Sequence, residues 1–206
     1  MDSKPILLIC GCTKYKQSLL SAIRRMEQPG YRIIGIVGNP ELETSFDETT
    51  HVLTLKIEDT YEALPFKLQA AFTWIYDHFP DSPGIFKTDD DIYFKNYSIL
   101  ANKITKYKDI PYWCIKKDSC IKHSMHRKTI KKRYNNKILH INIPTSTYCW
   151  GAGYWISRKS MNYIIKSDKL NYGPEDVFFG NILNKHKIIP DSIKIDWKTK
   201  KRTLRN

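Results

Sequence analysis

The sequence predicts an α/β fold with a largely parallel sheet, and three observations carry that expectation. The strand candidates are continuous apolar runs, as expected for a sheet buried on both faces. Amphipathic helical stretches alternate with those runs through the first half of the chain. Gly and Pro fall at the joints between them. With 206 residues, 41% hydrophobic and 27% charged, the composition is that of one globular domain and excludes a collagen-like or mostly disordered chain.

Residues 6–10, Ile-Leu-Leu-Ile-Cys, form the first buried strand, ended by Gly11. Leu19, Leu20, Ile23 and Met26 recur at helical spacing over residues 18–26, and Pro29-Gly30 closes that helix. A second strand covers residues 32–37 and stops at Gly38-Asn39-Pro40; a third covers residues 51–55. Leu64, Leu68, Ala71, Phe72, Ile75 and Phe79 mark one face of a long helix over residues 61–79. Residues 85–87 are a short strand running into three aspartates. The second half is less regular. It reads as a strand at 110–115, a polar, basic, loop-rich stretch at 116–136, a strand at 152–156, and helices at 158–165 and 175–184. No internal repeat or low-complexity linker divides the chain, so residues 1–206 are expected to form a single domain.

The formal net charge is +13, from 34 Lys plus Arg against 21 Asp plus Glu. Such a balance points to an anionic partner or, equally, to a solvated basic surface. Lys, Ile and Asn are all plentiful, as an AT-rich coding sequence would impose. No apolar run approaches the roughly 20 residues of a membrane span, and the run at residues 6–10 is too short for a signal-peptide core. The expectation is a soluble, cytoplasmic protein with no membrane span. The five cysteines include a C-x-C pair, Cys10 and Cys12, which is neither a redox nor a zinc spacing. They read as buried thiols.

Lys87-Thr88-Asp89-Asp90-Asp91 is the most informative stretch. Adjacent carboxylates repel one another, and the apolar flanks Ile85-Phe86 and Ile92-Tyr93-Phe94 pull this triplet into the fold. A divalent cation removes the repulsion. Carboxylate oxygens suit Mg²⁺ or Mn²⁺, which retain waters and accept phosphate oxygens as further ligands. In an extended segment Asp89 and Asp91 share a side, and Asp90 points elsewhere. A D-x-D between a strand and aromatics in an α/β frame points to a nucleotide-sugar transferase.

Residues 148–157 pack aromatics around Gly151 and Gly153. The stretch reads either as a close-approach ligand wall, with rings for sugar faces, or as a buried strand with a bulge. Further on, Pro174-Glu175-Asp176 opens a helix. Either carboxylate serves as a helix-terminal charge, or one of them is a general base.

Together these stretches resemble, in order along nearly the whole chain, the β-1,3-galactosyltransferases and fringe enzymes of glycosyltransferase family 31. Ser21-Ala22-Ile23-Arg24-Arg25-Met26 resembles A-I-R-x-T-W without its Thr-Trp. Asp59-Thr60-Tyr61-Glu62-Ala63-Leu64-Pro65-Phe66-Lys67 resembles D-S-Y-x-N-L-T-x-K. Phe86-Lys87-Thr88-Asp89-Asp90-Asp91 matches F/L-K-x-D-D-D, residues 148–157 match Y-x-x-G-x-G-Y-x-x-S, and Glu175-Asp176-Val177 with Gly180 matches E-D-V-x-x-G.

The resemblance implies a GT-A type, Rossmann-like, mixed but mostly parallel sheet flanked by helices. It implies an inverting transferase that moves a hexose or N-acetylhexosamine from a UDP-sugar to a glycan or glycoprotein hydroxyl, with Mn²⁺ (or Mg²⁺) as cofactor. By matching position, Asp91 is the main metal ligand and Asp89 helps it. Asp89, Asp90, Arg24, Lys67 and Lys87 are expected around the donor. Asp176 is the expected base and Glu175 its neighbour on the acceptor side. Trp150, Gly151, Gly153 and Tyr154 are expected to bind the acceptor. Residues 1–95 would form the nucleotide-sugar half and 96–206 the acceptor half.

Two departures stand out. The family's membrane anchor and disulfides have no counterpart here, which fits a location in the cytoplasm, or in the host cytoplasm or virion of a virus. The family's late metal-binding histidine has no counterpart except His186, on the same helix as E-D-V. Two other readings remain: a nucleic-acid binder using the basic residues 126–134, the less favoured, and a catalytically inactive sugar-binding relative.

Overall fold

Buried along its whole length, β1 (Ile6–Cys10) lies inside an eight-stranded sheet. The computed structural model describes residues 3–115, 147–171 and 173–199. In chain order the elements after β1 are a short 3-10 turn (Thr13–Tyr15), α1 (Lys16–Met26), β2 (Arg32–Gly38), β3 (Ser45–Asp47), β4 (Val52–Leu55), α2 (Leu64–His78), β5 (Gly84–Asp89), β6 (Ile92–Phe94), α3 (Tyr97–Lys106) and β7 (Tyr112–Ile115). They continue with β8 (Gly153–Ser157), α4 (Arg158–Ile165), α5 (Glu175–Lys185), β9 (Asp191–Ile193) and β10 (Trp197–Thr199).

The strand order is β3-β4-β2-β1-β5-β8-β7-β9, with β6 and β10 forming a separate two-stranded ribbon. β1 pairs in parallel with both β2 and β5, and β2 with β4. β8 runs antiparallel between β5 and β7. The protein is therefore mixed α/β with a large, mostly parallel sheet, as the apolar runs predict.

Strand alternation divides the core. Ile6, Leu8 and Cys10 face one layer with Leu68, Phe72 and Ile75 of α2 and Phe179 of α5. Leu7 and Ile9 face the other with Leu19 and Ile23 of α1, Leu100 and Ile104 of α3, and Trp113 and Trp155. Each large side chain buried this fully stabilises the fold by about 1.5–3 kcal/mol. The buried stripe of α1 is Leu19, Ala22, Ile23 and Met26, which is the spacing read from the sequence.

Some elements differ from expectation. The strand expected at 110–115 begins only at Tyr112, because residues 107–111 turn ahead of it. α3 was not anticipated; the Asn96 side chain caps it by accepting from Ile99 N at 3.0 Å. β3, β6, β9 and β10 span three residues each, too short for a periodic signal. The basic residues 126–134 lie outside the described residues. Among the described residues no helix is long and apolar enough to cross a membrane. Cys10, Cys114 and Cys149 are buried as thiols, and Cys12 is half-buried.

Gly180 explains the glycine that ends E-D-V-x-x-G. A Cβ there would lie 2.3 Å from the Tyr148 Cβ and 2.9 Å from its Cα, so the absence of a side chain lets α5 pack against the residues preceding β8. Backbone, not a flexible side-chain end, would have to move. Gly180→Ala should therefore cost about 1–3 kcal/mol, read as a lowered urea midpoint. An unchanged midpoint would show that this close approach is dispensable.

Candidate functional site

The parallel strands β1, β2, β4 and β5 end together, and Cys10 pairs with both Ile36 and Asp89 in register. Ligands of open α/β sheets bind beyond such carboxyl ends. A cleft of about 600 Å³ lies there, with Asp59, Lys67, Asp89, Asp91, Glu175 and Asp176 in its wall. Because β8 is antiparallel to β5, with Thr88 opposite Gly153, the chain just before β8 arrives at the same end. This puts Trp150, Gly151 and Ala152 on the rim. α5 starts beside it with Glu175 and Asp176 in its first turn.

Beneath the cleft, Lys87 is 1% exposed. Its Nζ lies 2.8 Å from Asp89 Oδ1 and 3.0 Å from Glu175 Oε1, and it donates to the Gly151 carbonyl at 2.7 Å. Burial disfavours the ammonium, but Asp89 and Glu175 outweigh it and hold the Lys87 pKa well above its ordinary value. Gly151 N in turn donates to Asp176 Oδ2 at 3.0 Å, and Val177 N donates to Asp176 Oδ1 at 2.8 Å. A Cβ at Gly151 would sit 2.9 Å from Glu175 Oε1, so a side chain here would push the Glu175 carboxylate from its place beside Lys87. Burial, then the charge of Glu175, push the Asp176 carboxyl up to about 8, against the pull of Lys87 and the two backbone donors.

A second ion pair stands on the opposite wall. Lys67 of α2 is 3% exposed; its Nζ lies 2.7 Å from Asp59 Oδ1 and donates to Gly11 O at 2.8 Å. Thr13 N donates to Asp59 Oδ2. Burial works against the Lys67 charge, but Cys10 and Asp59 raise its pKa above the ordinary value. The pair ties the loop after β1 to α2 and shapes this wall.

The expected site residues separate into two groups. Asp89, Asp91, Lys67, Trp150, Gly151, Glu175 and Asp176 line the cleft. Arg24 does not: the apolar stripe of α1 faces the sheet and leaves Arg24 exposed. Its neighbour Arg25 is the anchored one, with its guanidinium 3.7 Å over the Tyr93 ring and Nε donating to the Tyr97 hydroxyl at 2.9 Å. Asp90 is buried away from the cleft; its N donates to Cys10 O at 3.2 Å and its carbonyl accepts from Arg25. Gly153 and Tyr154 are core residues of β8, where the strand pleat turns Tyr154 into the layer with Tyr112. Lys87 sits under the cleft floor and touches its acids. Asp59, Trp197 and Thr199 also line the cleft and were not among the expected site residues. Asp59 carried a signal in its spacing of eight from Lys67; three-residue β10 carried none.

Among the described residues no group of three His, Cys, Asp or Glu side chains could hold a metal by itself. His186 is exposed and stacks on Tyr163 at 3.8 Å between ring centroids. The end of β5 offers two half-buried carboxylates, Asp89 and Asp91, one of them paired with Lys87. That donor set fits a cation that keeps waters and shares a ligand's phosphate oxygens, and does not fit a closed protein cage.

A mostly parallel α/β sheet with an acidic cleft at its strand ends defines a ligand-binding α/β domain. The sequence matches the galactosyltransferase family over residues 41–194, and the chain belongs to that family, the one of the β-1,3-galactosyltransferases of glycosyltransferase family 31. Membership supports a glycosyltransferase role. No curated protein matches the sequence. Among solved structures, the homolog of Mycobacterium tuberculosis rv0371c from Mycobacterium sp. strain JC1 is similar with a TM-score of 0.53 at 13% identity, covering 95% of this chain and 88% of that one. A197 from STIV is similar with a TM-score of 0.54 at 10% identity, covering 97% and 86%. At these identities the likeness is one of fold.

Proposed function

We propose that the chain transfers a hexose or N-acetylhexosamine from a UDP-sugar to a hydroxyl of a glycan or glycoconjugate, with inversion and a β-1,3 linkage. The observation that carries this reading is the division of carboxylates on one cleft. Asp89 and Asp91 stand at the end of β5, and Asp176, with a raised pKa, stands apart on α5. Metal-dependent inverting transfer uses that division: one set of carboxylates would hold the cation that meets the leaving diphosphate, and a separate one takes the acceptor proton.

Asp91, with Asp89 beside it, would hold the divalent cation, which when bound neutralises charge developing on the diphosphate. Asp176 takes the proton of the acceptor hydroxyl. As it does so, the acceptor oxygen bonds to the anomeric carbon and the bond from that carbon to the diphosphate breaks, with the electron pair leaving on UDP. Each Asp176 oxygen accepts one backbone N–H and keeps a further lone pair for that proton. Lys87 and Gly151 position the two acids. Residues 1–95 supply the donor side, and Trp150, Gly151 and α5 supply the acceptor side.

The test is UDP binding by calorimetry with and without Mn²⁺. Mn²⁺ should tighten UDP binding by the wild type, and Asp91→Ala should remove that gain with the fold intact. Equal UDP binding with and without metal in both proteins would overturn the metal assignment. An inactive sugar-binding relative would show no turnover. Mn²⁺-dependent hydrolysis of UDP-galactose or UDP-N-acetylglucosamine would exclude it.

A further inference from the structure

A second cavity, of about 740 Å³, opens beside the cleft, and nothing in the proposed chemistry uses it. The β6–β10 ribbon stands between the two. Its residues Ile92 and Thr199, opposite one another in the ladder, line the cleft, while Tyr93 and Lys198, the next pair, line the second cavity. Trp197 lines both. A molecule passing over Trp197 therefore touches both spaces.

The chemistry of the second cavity is specific. Lys95, Lys194 and Lys198 line it, all exposed, against a single acid, Asp196. Three flexible cations around one carboxylate leave a positive surplus, which favours an anionic ligand. Trp197 is half-buried, and its indole N–H is buried with no hydrogen-bond partner among the described residues. Trp197 also packs edge-on against Trp150 of the cleft rim, with centroids 5.6 Å apart, so the indole belongs to the same aromatic wall. The Arg25 guanidinium already covers one face of the Tyr93 ring at 3.7 Å, so that face is not open for stacking a nucleobase.

We infer that this cavity binds a negatively charged sugar unit of the acceptor, carrying a carboxylate or a phosphate, while another unit of the same chain occupies the cleft. The acceptor is thereby an acidic glycan. The lysines meet its charge, and Trp197, which lines both spaces, lies along its path. This rests on the transferase reading for its place in the reaction, but the binding itself needs no turnover.

The test uses the full chain and an oligogalacturonate of about six units, with its carboxyl-reduced neutral form and a short sugar phosphate oligomer as comparisons. Affinities are measured by calorimetry at low and high salt. The acidic oligosaccharides should bind the wild type, weaken with salt, and bind the triple variant Lys95→Ala, Lys194→Ala, Lys198→Ala about tenfold or more weakly, since exposed charge contacts are individually small. The carboxylate and phosphate arms show which anion is preferred. These lysines are exposed, so the variant should fold, and its UDP affinity should match wild type. Equal binding of the charged and neutral forms would overturn the inference, as would an unchanged affinity in the triple variant. Tighter binding of a thymidine oligonucleotide, lost in the same variant, would also overturn it and assign the cavity to nucleic acid. UDP binding is scored separately: failure of the wild type to bind UDP would sink the donor reading and leave the oligosaccharide result standing on its own, whereas loss of UDP affinity only in the triple variant would place these lysines on the donor and overturn the inference.

Discussion

Asp176→Asn should lose glycosyl transfer by about 10²- to 10⁴-fold while keeping UDP-sugar affinity, because only the proton acceptor is removed. Asn retains the shape and a carbonyl oxygen for one of the two backbone donors, leaves the other facing its NH2, and cannot take up a proton. The wild-type rate should rise with pH as Asp176 ionises, since burial and Glu175 push its pKa up to about 8. Glu175→Gln removes the second of these causes, so its acidic limb should move to lower pH, with a milder loss of rate. The reverse ranking of the two variants would exchange the roles of Asp176 and Glu175. Stability offers an independent reading. A carboxyl whose folded pKa is raised binds its proton more tightly when folded, so stability falls as pH rises from the ordinary carboxylate range through about 8. Asp176→Asn deletes that dependence, and its Tm should decline less than that of the wild type between about pH 5 and pH 9. Parallel declines would mean that Asp176 is ionised throughout.

What the sequence disclosed, and what it did not, follows from the range of the interactions concerned. The residues of β1 advertise burial on both faces by themselves, and the Leu19, Ile23, Met26 stripe advertises α1, because both signals are local. Asp89 ends β5, but Asp90 and Asp91 form the turn into β6, so Asp89 and Asp91 share the cleft through that turn and not through the strand alternation that the sequence suggests. Lys87 is different. As the residue before Thr88-Asp89 it reads as a donor contact, but its partner Glu175 lies 88 positions away, and only the antiparallel insertion of β8 brings Gly151 between them. Tyr154 was misplaced for a related reason: of the aromatics in residues 148–157 only Trp150, ahead of β8, reaches the rim, while Tyr154 and Trp155 are buried on the two faces of β8 by its pairing between β5 and β7. Trp197 depends wholly on the three-residue pairing of β10 with β6. Arg24 and Arg25 are neighbours about 100° apart on a helix, so which of them packs against the fold is legible only once the packed face is known; neither lines the cleft.

Lys87→Met should destabilise the fold by about 3–5 kcal/mol, the usual cost of removing one member of a buried ion network. Methionine fills nearly the same volume, so the loss is electrostatic and not a cavity effect. Glu175, 3% exposed, would lose its partner at 3.0 Å, and Asp89 would lose a contact of 2.8 Å. The Gly151 carbonyl would lose its 2.7 Å donor as well, loosening the backbone that holds Asp176. Urea unfolding of the variant measures the cost. Lys87→Met combined with Glu175→Gln should recover part of it, since the unpartnered acid is gone; the deviation from additivity is the energy of the pair. The catalytic signature has the opposite sign to that of Glu175→Gln. Lys87 lowers the Asp176 pKa, so its removal should shift the acidic limb of the rate profile to higher pH. A loss of stability below about 1 kcal/mol, within the range of an exposed pair, together with an unmoved acidic limb would mean that Lys87 neither holds the two acids together nor sets the proton affinity of Asp176.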